Sequence, residues 1–205
     1  MPTFTDLPTL RSFVTACHLC SLRDQATHVV FGEGAPTARI VFCGEAPGAD
    51  EDLQGRPFVG ASGQLLTRMM TAMGFDRSHN AYILNVIKCR PPENRTPTPD
   101  ETATCVPHTI AQLGILRPAI LVTLGGTATQ AFFPQSDRIS RLRGQWLTWH
   151  DIAVMPTYHP AAMLRNPTWK REAWEDRKRV LDRYRTDVDA HHDAPEYPLP
   201  SSDAG

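Results

Sequence analysis

Four short apolar runs, separated by segments of helical periodicity, constrain the fold of this chain more than any other feature. They occupy residues 39–43, 81–86, 119–124 and 152–156. Apolar runs of this length are typical of strands buried on both faces, and their alternation with helices favours a parallel sheet. We therefore predict an α/β fold with helices on both faces of the sheet, and we interpret residues 145–149 as an edge strand.

The length and composition favour one domain without a membrane segment. The 205 residues are 41% hydrophobic and 21% charged, and the formal net charge of -1 neither favours nor excludes DNA, which requires only a local basic face. We assign residues 1–185 to one domain and expect residues 186–205, rich in Asp, His, Pro and Ser, to be a disordered tail. No apolar run is long enough to cross a bilayer and no signal-peptide pattern is present, so we expect a cytoplasmic protein, acting as a monomer.

A loop rich in glycine, proline and acidic residues follows the first apolar run. It spans residues 44–63 and carries the carboxylates of Glu45, Glu51 and Asp52. In an open α/β sheet, ligands bind at the carboxyl ends of the strands. The sequence therefore predicts a ligand loop here, followed by a helix for which Ser62 is a candidate N-cap.

Four of the five cysteines have spacings that suit a metal site. Cys17 and Cys20 form a Cys-x-x-Cys pair, Cys89 lies in a proline-rich loop, and Cys105 lies in the next predicted helix. Four thiolates suit either zinc or an iron–sulfur cluster, and the alternatives are a redox pair or four buried apolar cysteines. Cys43 lies within an apolar run, and we interpret it as a core residue.

Six motifs stand in a characteristic order between residues 17 and 184. They are Cys17-His18-Leu19-Cys20; Gly44-Glu45-Ala46-Pro47-Gly48 with Glu51-Asp52; Gly55-Arg56-Pro57-Phe58-Val59-Gly60; Asn85-Val86-Ile87-Lys88-Cys89-Arg90-Pro91-Pro92; Cys105; and His159-Pro160-Ala161 with Leu164-Arg165-Asn166-Pro167. Each motif alone is weak, but together they are specific. On these residues the chain resembles the family 4 uracil-DNA glycosylases, the iron–sulfur branch of the uracil-DNA glycosylase superfamily.

The resemblance carries expectations for fold, cofactor and reaction. It implies a three-layer α/β/α sandwich around a four-stranded parallel sheet. It implies an enzyme that flips uracil out of single- or double-stranded DNA and hydrolyses its N-glycosidic bond, leaving an abasic site. It also implies a [4Fe-4S] cluster, and so iron over zinc, on Cys17, Cys20, Cys89 and Cys105.

The same resemblance predicts the side chains around the uracil. His159 would donate a hydrogen bond to uracil O2 as negative charge develops there, and Asn85 would match O4 and N3–H, which cytosine presents in reverse. Phe58 would stack on the flipped base. The ordinary alternatives are a strand-end histidine, a turn-capping asparagine and a core aromatic ring. The rest of the predicted pocket consists of loop residues: Glu45, Ala46, Pro47 and Gly48.

The catalytic carboxylate is the least determined part of the predicted site. In the best-known branch of the superfamily an aspartate positions the water, and a tyrosine excludes the thymine methyl group; Ala46 and Gly48 occupy those positions here. Glu45 is our first candidate for a catalytic or water-positioning role, or for electrostatic stabilisation of the sugar cation. Glu51 and Asp52 are alternatives that could instead hold the loop or exclude the methyl group.

The segment after His159 and a small basic segment are predicted to contact DNA. Leu164 is a candidate wedge that fills the stack vacated by the flipped base. Phosphate contacts are predicted for Arg165, Arg141 and Arg143. We interpret the basic residues after position 169 mainly as a solvated helix face.

Two other functions stay open at this point. One branch of the superfamily becomes covalently trapped on its product and carries a histidine-bearing insertion, but residues 90–99 contain neither a histidine nor an insertion. A non-catalytic DNA-binding module is the other possibility, because Ala46 replaces the expected aspartate. The presence of Asn85 and His159 argues against such a module.

Overall fold

The computed structural model describes residues 2–195, which form a mixed β-sheet with helices on both faces. The strands are β1 (Glu33–Gly34), β2 (Ile40–Gly44), β3 (Ala81–Asn85), β4 (Ile120–Leu124), β5 (Leu147–Trp149) and β6 (Ile152–Thr157). The helices are α1 (Leu7–Thr15), α2 (Leu22–Gln25), α3 (Ala49–Gln54), α4 (Ala61–Ala72), α5 (Pro99–Leu116), α6 (Gly126–Gln130), α7 (Ile139–Leu142), α8 (Pro160–Arg165) and α9 (Trp169–Asp187).

The sheet confirms the α/β class but corrects the predicted strand count. The strand order is β1-β3-β2-β4-β6-β5, and the four inner strands are parallel. Both outer strands are antiparallel to their neighbours, so within residues 2–195 the sheet has six strands rather than four. A strand of two half-buried residues such as β1, with Gly34 at a φ of 152°, has no alternation that could reveal it in the sequence.

Side chains alternate along the inner strands and supply a separate core to each face of the sheet. On β2, Ile40 and Phe42 pack with residues of α4 and α9, whereas Val41 and Cys43 pack with residues of α5. Cys43 is fully buried, as expected of a core residue. Helices therefore cover both faces, which is why the inner strands are apolar throughout rather than alternating.

Packed structure continues beyond residue 185, where the sequence predicted the domain to end. Helix α9 continues to Asp187, and the ring of His192 then stacks on Phe75 with 4.5 Å between ring centroids. A ring nitrogen of His192 lies 2.8 Å from the carbonyl oxygen of Met73. The start of the predicted tail is therefore packed against the domain, through contacts between His192 and the distant residues Phe75 and Met73. The rest of the predicted disordered tail, residues 196–205, lies outside the described residues.

None of the helices in the described part of the chain has the length and apolarity needed to cross a membrane.

Candidate active site

A cavity of about 500 Å³ opens at the carboxyl ends of the four parallel strands. Because parallel strands all end at one edge of the sheet, the segments that follow them converge there. The structure brings together most of the predicted site residues on the cavity wall, namely Glu45, Ala46, Pro47, Gly48, Glu51, Phe58, Asn85, His159 and Arg165. These residues come from three separate parts of the sequence, namely the loop of residues 44–63, Asn85 and residues 159–165, and the topology of the sheet brings them together.

Asn85 ends β3 at the floor of the cavity with an unsatisfied amide oxygen. Its side chain is 1% exposed, and its Oδ1 atom has no hydrogen-bond partner in the described part of the chain. The neighbouring strand makes room for it with Gly44, where a Cβ atom would overlap both Asn85 Oδ1 and the ring of Phe58. A buried amide without a partner is destabilising by about 1–3 kcal/mol, so this group is prepared for a ligand.

Phe58 lies against the same cavity in a strained backbone conformation. Its φ is 52°, a value that residues with a side chain rarely adopt, and its ring is 5% exposed. The ring centroid of Phe58 lies 5.6 Å from that of His159. Strain of this kind persists only where the surroundings over-determine the conformation.

Three contacts hold the backbone around Phe58. The guanidinium of Arg77 donates to the carbonyl oxygens of Pro57 and Phe58, each at 3.0 Å. The start of α4 approaches so closely that a Cβ at Gly63 would overlap the Phe58 carbonyl group. The third contact is made by Glu51, which binds the two residues that follow.

Glu51 is a structural carboxylate of the loop. One of its oxygens accepts hydrogen bonds from the backbone N–H groups of Val59 and Gly60 at 2.8 and 2.9 Å, and the other accepts from Gly48 at 3.1 Å. The side chain thereby ties the first turn of α3 to the segment that carries Phe58. Of the roles considered for Glu51, this geometry favours holding the loop.

Asp52 and Glu45 differ sharply in their surroundings. Asp52 is 5% exposed and faces away from the cavity, where its Oδ1 accepts from the backbone N–H groups of Thr27 and His28 at 2.9 and 3.2 Å. Glu45 lines the cavity, and its carboxylate makes no hydrogen bond to any described residue. Among the three acidic candidates, only Glu45 combines a position on the cavity with a carboxylate that no described residue engages.

His159 is held as a neutral hydrogen-bond donor. Its Nδ1 accepts a hydrogen bond from the backbone N–H of Ala161 at 3.1 Å at the start of α8. Burial, assisted by the positive charge of Arg165, lowers the pKa of His159 to about 4. With Nδ1 engaged as an acceptor, the proton of the neutral ring resides on Nε2 and is available for donation.

The residues predicted to contact DNA separate into two groups. Leu164 is 44% exposed on α8, and Arg165 is exposed at the rim of the cavity. Arg141 is exposed on α7 and lies 3.7 Å from Asp137. Arg143 does not fit the predicted phosphate contact, because it is paired with Asp176, a carboxylate of α9 that is fully buried.

The pairing of Arg143 has a structural explanation. Its guanidinium also donates to the carbonyl oxygen of Glu172 at 2.6 Å, and Thr157 donates to the same carboxylate of Asp176 at 2.7 Å. A buried carboxylate requires such a partner. Arg143 therefore attaches α9 to the end of α7, and Thr157 attaches the same carboxylate to the end of β6.

The four motif cysteines line one small cavity between the segment after α1, the segment after β3, and α5. The backbone N–H of Lys88 donates to Cys105 Sγ at 3.4 Å. Burial raises the pKa of Cys89 to about 12 and that of Cys105 to about 11, so these thiols become thiolates only when a cationic group is bound. Within residues 2–195, no three His, Cys, Asp or Glu side chains are grouped so that they could hold a single metal ion.

Lys88 links the cysteine cavity to the active-site cavity, a role that the sequence analysis missed. Its fully buried ammonium group donates to the carbonyl oxygen of Asn85 at 2.7 Å and to Oε1 of Gln112 on α5 at 2.5 Å. The hydroxyl of Thr109 on α5 also donates to the Asn85 carbonyl oxygen, at 3.2 Å. The position of Lys88 between an apolar strand and a cysteine was a sequence signal that could have revealed this role. The sequence held no comparable signal for Arg77, which binds the backbone of Pro57 and Phe58.

Comparisons with known proteins agree with this geometry. A family model described as the uracil DNA glycosylase superfamily matches residues 31–178. The chain is 43% identical over 185 residues to a type-4 uracil-DNA glycosylase of Sulfurisphaera tokodaii, covering 86% of this chain and 84% of that protein. It is 47% identical over 156 residues to a type-4 uracil-DNA glycosylase of Thermotoga maritima, covering 75% and 80% of the two chains.

A type-5 uracil-DNA glycosylase of Thermus thermophilus is also similar, at 36% identity over 114 residues, but this match covers only 49% of the chain and 52% of that protein. The type-4 relatives match over far more of their length, and the range matched by the family model, residues 31–178, includes the walls of the active-site cavity. The chain therefore belongs to the uracil-DNA glycosylase superfamily and, within it, to the type-4 branch.

Proposed function

We propose that this protein flips uracil out of DNA and hydrolyses its N-glycosidic bond, releasing free uracil and leaving an abasic site for base excision repair. The observation that carries the proposal is the convergence of Asn85, Phe58 and His159 on one cavity in a member of this family. A flipped base requires a stacking surface, polar groups for its edge and a donor for the charge that develops on it. The cavity offers all three.

The amide of Asn85 selects the base. The Nδ2 group donates to uracil O4, and Oδ1 accepts from N3–H, where cytosine would present a donor to a donor and an acceptor to an acceptor. Because Oδ1 has no partner among residues 2–195, uracil supplies a hydrogen bond that this part of the chain does not provide. The ring of Phe58 stacks on the base, and the contacts that Arg77 and Glu51 make with its backbone segment hold that ring in position.

The ring of His159 stabilises the departing uracil. As the glycosidic bond lengthens, negative charge accumulates on the base, and the Nε2–H group donates to O2. A neutral donor suits this step, because it does not transfer its proton while uracil leaves as an anion. The low pKa of His159 keeps the ring neutral throughout the physiological range.

Glu45 acts on the sugar side of the reaction. Its carboxylate positions the attacking water or stabilises the positive charge of the oxocarbenium-like sugar. Its location on the cavity wall supports this role, together with a carboxylate that has no partner among the described residues. Glu51 and Asp52 are engaged with backbone N–H groups elsewhere and contribute through the shape of the loop.

The DNA lies across the mouth of the cavity. Leu164 enters the stack from which the base has been extruded, while Arg165 and Arg141 contact phosphates of single- or double-stranded DNA. The exposure of these three side chains supports the assignment. The protein acts as a monomer in this proposal.

A [4Fe-4S] cluster is bound by Cys17, Cys20, Cys89 and Cys105. The residues fit such a group, because all four thiols line one buried cavity without being grouped for a single ion, and a cluster spreads its four ligands over several iron atoms. When bound, the cluster ties the segment after α1 to the proline-rich loop and α5. Hydrolysis of the glycosidic bond involves no net oxidation or reduction, so the contribution of the cluster to this reaction is structural.

A glycosylase assay with matched variants tests the proposal. Wild-type protein is incubated with single- and double-stranded oligonucleotides that contain one uracil, cytosine or thymine, and abasic sites are then cleaved with alkali. We expect cleavage only with uracil, a loss of at least about 100-fold in His159→Ala, and normal activity in His79→Ala, whose imidazole is on the surface.

Two results would overturn the proposal. Absence of cleavage with cluster-loaded wild-type protein would favour the non-catalytic module. A heat-stable protein–DNA adduct on uracil DNA would favour the covalently trapped branch.

A further inference from the structure

His108 lies beside the four cysteines as a buried imidazole without a partner. It is 2% exposed, and neither of its ring nitrogens has a hydrogen-bond partner within residues 2–195. It follows Cys105 by three positions on α5, so the two side chains lie on the same face of the helix. His108 lines the same cavity as all four cysteines.

Apolar side chains form much of the surroundings of this ring, and the two cations on the cavity wall, Arg23 and Lys88, cannot accept a hydrogen bond from it. The ring of Phe13 lies edge-on to it at 6.0 Å between centroids, and Val14 and Ile87 line the same cavity. An imidazole that is buried here without a hydrogen bond destabilises the folded chain, whereas a phenylalanine ring at this position would not. Native proteins satisfy nearly all buried polar groups, so a group with two orphan nitrogens indicates a partner other than the protein.

We propose that an imidazole N–H of His108 donates a hydrogen bond to a sulfur atom of the iron–sulfur cluster, and that His108 thereby sets the reduction potential of the cluster. The inference rests on the cluster proposed above. Sulfur is the acceptor expected at this place, because a cluster presents only sulfide and thiolate sulfur to the cavity wall. His108 is a positioning residue of the cofactor and takes no part in uracil release.

The hydrogen bond has a predictable effect on the cluster. Reduction adds negative charge that is spread over the sulfur atoms, so a donor at sulfur stabilises the reduced form more than the oxidised form. Removing the donor therefore shifts the reduction potential to more negative values. Replacing it with another N–H donor keeps the potential near that of the wild type.

The test compares His108→Phe, which keeps a planar ring but has no donor, with His108→Gln, which keeps an N–H group. The control is Thr104→Val, which changes another wall residue of the same cavity. Iron and acid-labile sulfide are counted first in anaerobically prepared proteins. The reduction potential is then measured by voltammetry, and Fe–S stretching frequencies are recorded by resonance Raman spectroscopy in H₂O and D₂O.

We expect a more negative potential in His108→Phe, together with loss of a deuterium-sensitive Fe–S frequency, and values near wild type in His108→Gln and Thr104→Val. Equal potentials and equal deuterium shifts in wild type and His108→Phe would refute the inference. If His108→Phe loses its cluster, His108→Met serves as the donor-free variant: a potential more negative than that of His108→Gln supports the hydrogen bond, and equal potentials in the two variants refute it. Wild-type protein that lacks iron and sulfide would instead refute the cluster itself.

Discussion

Replacing Glu51 with Gln should destabilise the protein, whereas the same replacement at Glu45 should affect only the reaction. The carboxylate of Glu51 accepts three backbone hydrogen bonds, two at one oxygen and one at the other. A Gln side chain has a single acceptor oxygen, so Glu51→Gln loses at least one charge-assisted bond and weakens the others. With about 1.5–3 kcal/mol for a hydrogen bond to a charged group, we expect a loss of about 2–3 kcal/mol.

Thermal unfolding and single-turnover excision separate the two roles. For a chain of this length, the loss corresponds to a fall in the melting temperature of roughly 4–12 °C in Glu51→Gln. The free energy of unfolding of Glu45→Gln should stay within about 0.5 kcal/mol of the wild-type value, because the Glu45 carboxylate has no partner among the described residues. Its excision rate should fall by at least about 100-fold.

Asp52→Asn is the matched control for the loop. Its single amide oxygen can accept both bonds that Asp52 Oδ1 accepts from Thr27 and His28, so stability and excision should both stay close to wild type. A Glu51→Gln protein that melts like wild type but fails to excise uracil would refute our assignment of Glu51 to the loop. Excision near the wild-type rate by Glu45→Gln would refute the assignment of Glu45 to the chemistry.

Three further predictions concern the pocket, the interface and pH. Gly44→Ala should raise KM by at least about 10-fold in steady-state kinetics, with unchanged iron content, because the new methyl group overlaps Asn85 and Phe58. Arg143→Met should reduce the free energy of unfolding by about 3–5 kcal/mol in urea titrations, because it leaves the buried Asp176 carboxylate without its ion-pair partner. It should leave the salt dependence of DNA binding unchanged, whereas Arg165→Ala should lower the slope of log affinity against log salt concentration by about one. The contribution of His159 to the free energy of unfolding should fall by at most about 3 kcal/mol between pH 6.5 and 4. In the unfolded chain His159 takes up a proton near pH 6.5, whereas in the folded chain it stays neutral down to its pKa of about 4. In urea titrations across the same range, His159→Ala should lack this contribution.

Much of the architecture was accessible from the sequence because it depends on local patterns. The four apolar runs mark the inner parallel strands, since strands buried on both faces are mostly apolar and lack a regular alternation of polar and apolar residues. The motif order indicated the family, which the comparisons confirm, and the ends of β3 and β6 carry Asn85 and His159 to the cavity. The edge strand β1 was not accessible, because it consists of two residues with no pattern of their own.

The direction of each charged side chain was decided by the tertiary structure alone. Glu45, Glu51 and Asp52 lie within eight positions of one another, yet one faces the cavity, one binds the Phe58 segment and one binds Thr27 and His28. The sequence by itself determined that carboxylates come directly after β2. It also determined that four cysteines and an asparagine have the spacing typical of the family. It could not determine which carboxylate contacts the substrate, or that Arg143 would form an ion pair with Asp176. The role of a charged group depends on its partners, and only the folded chain brings those partners within hydrogen-bonding distance.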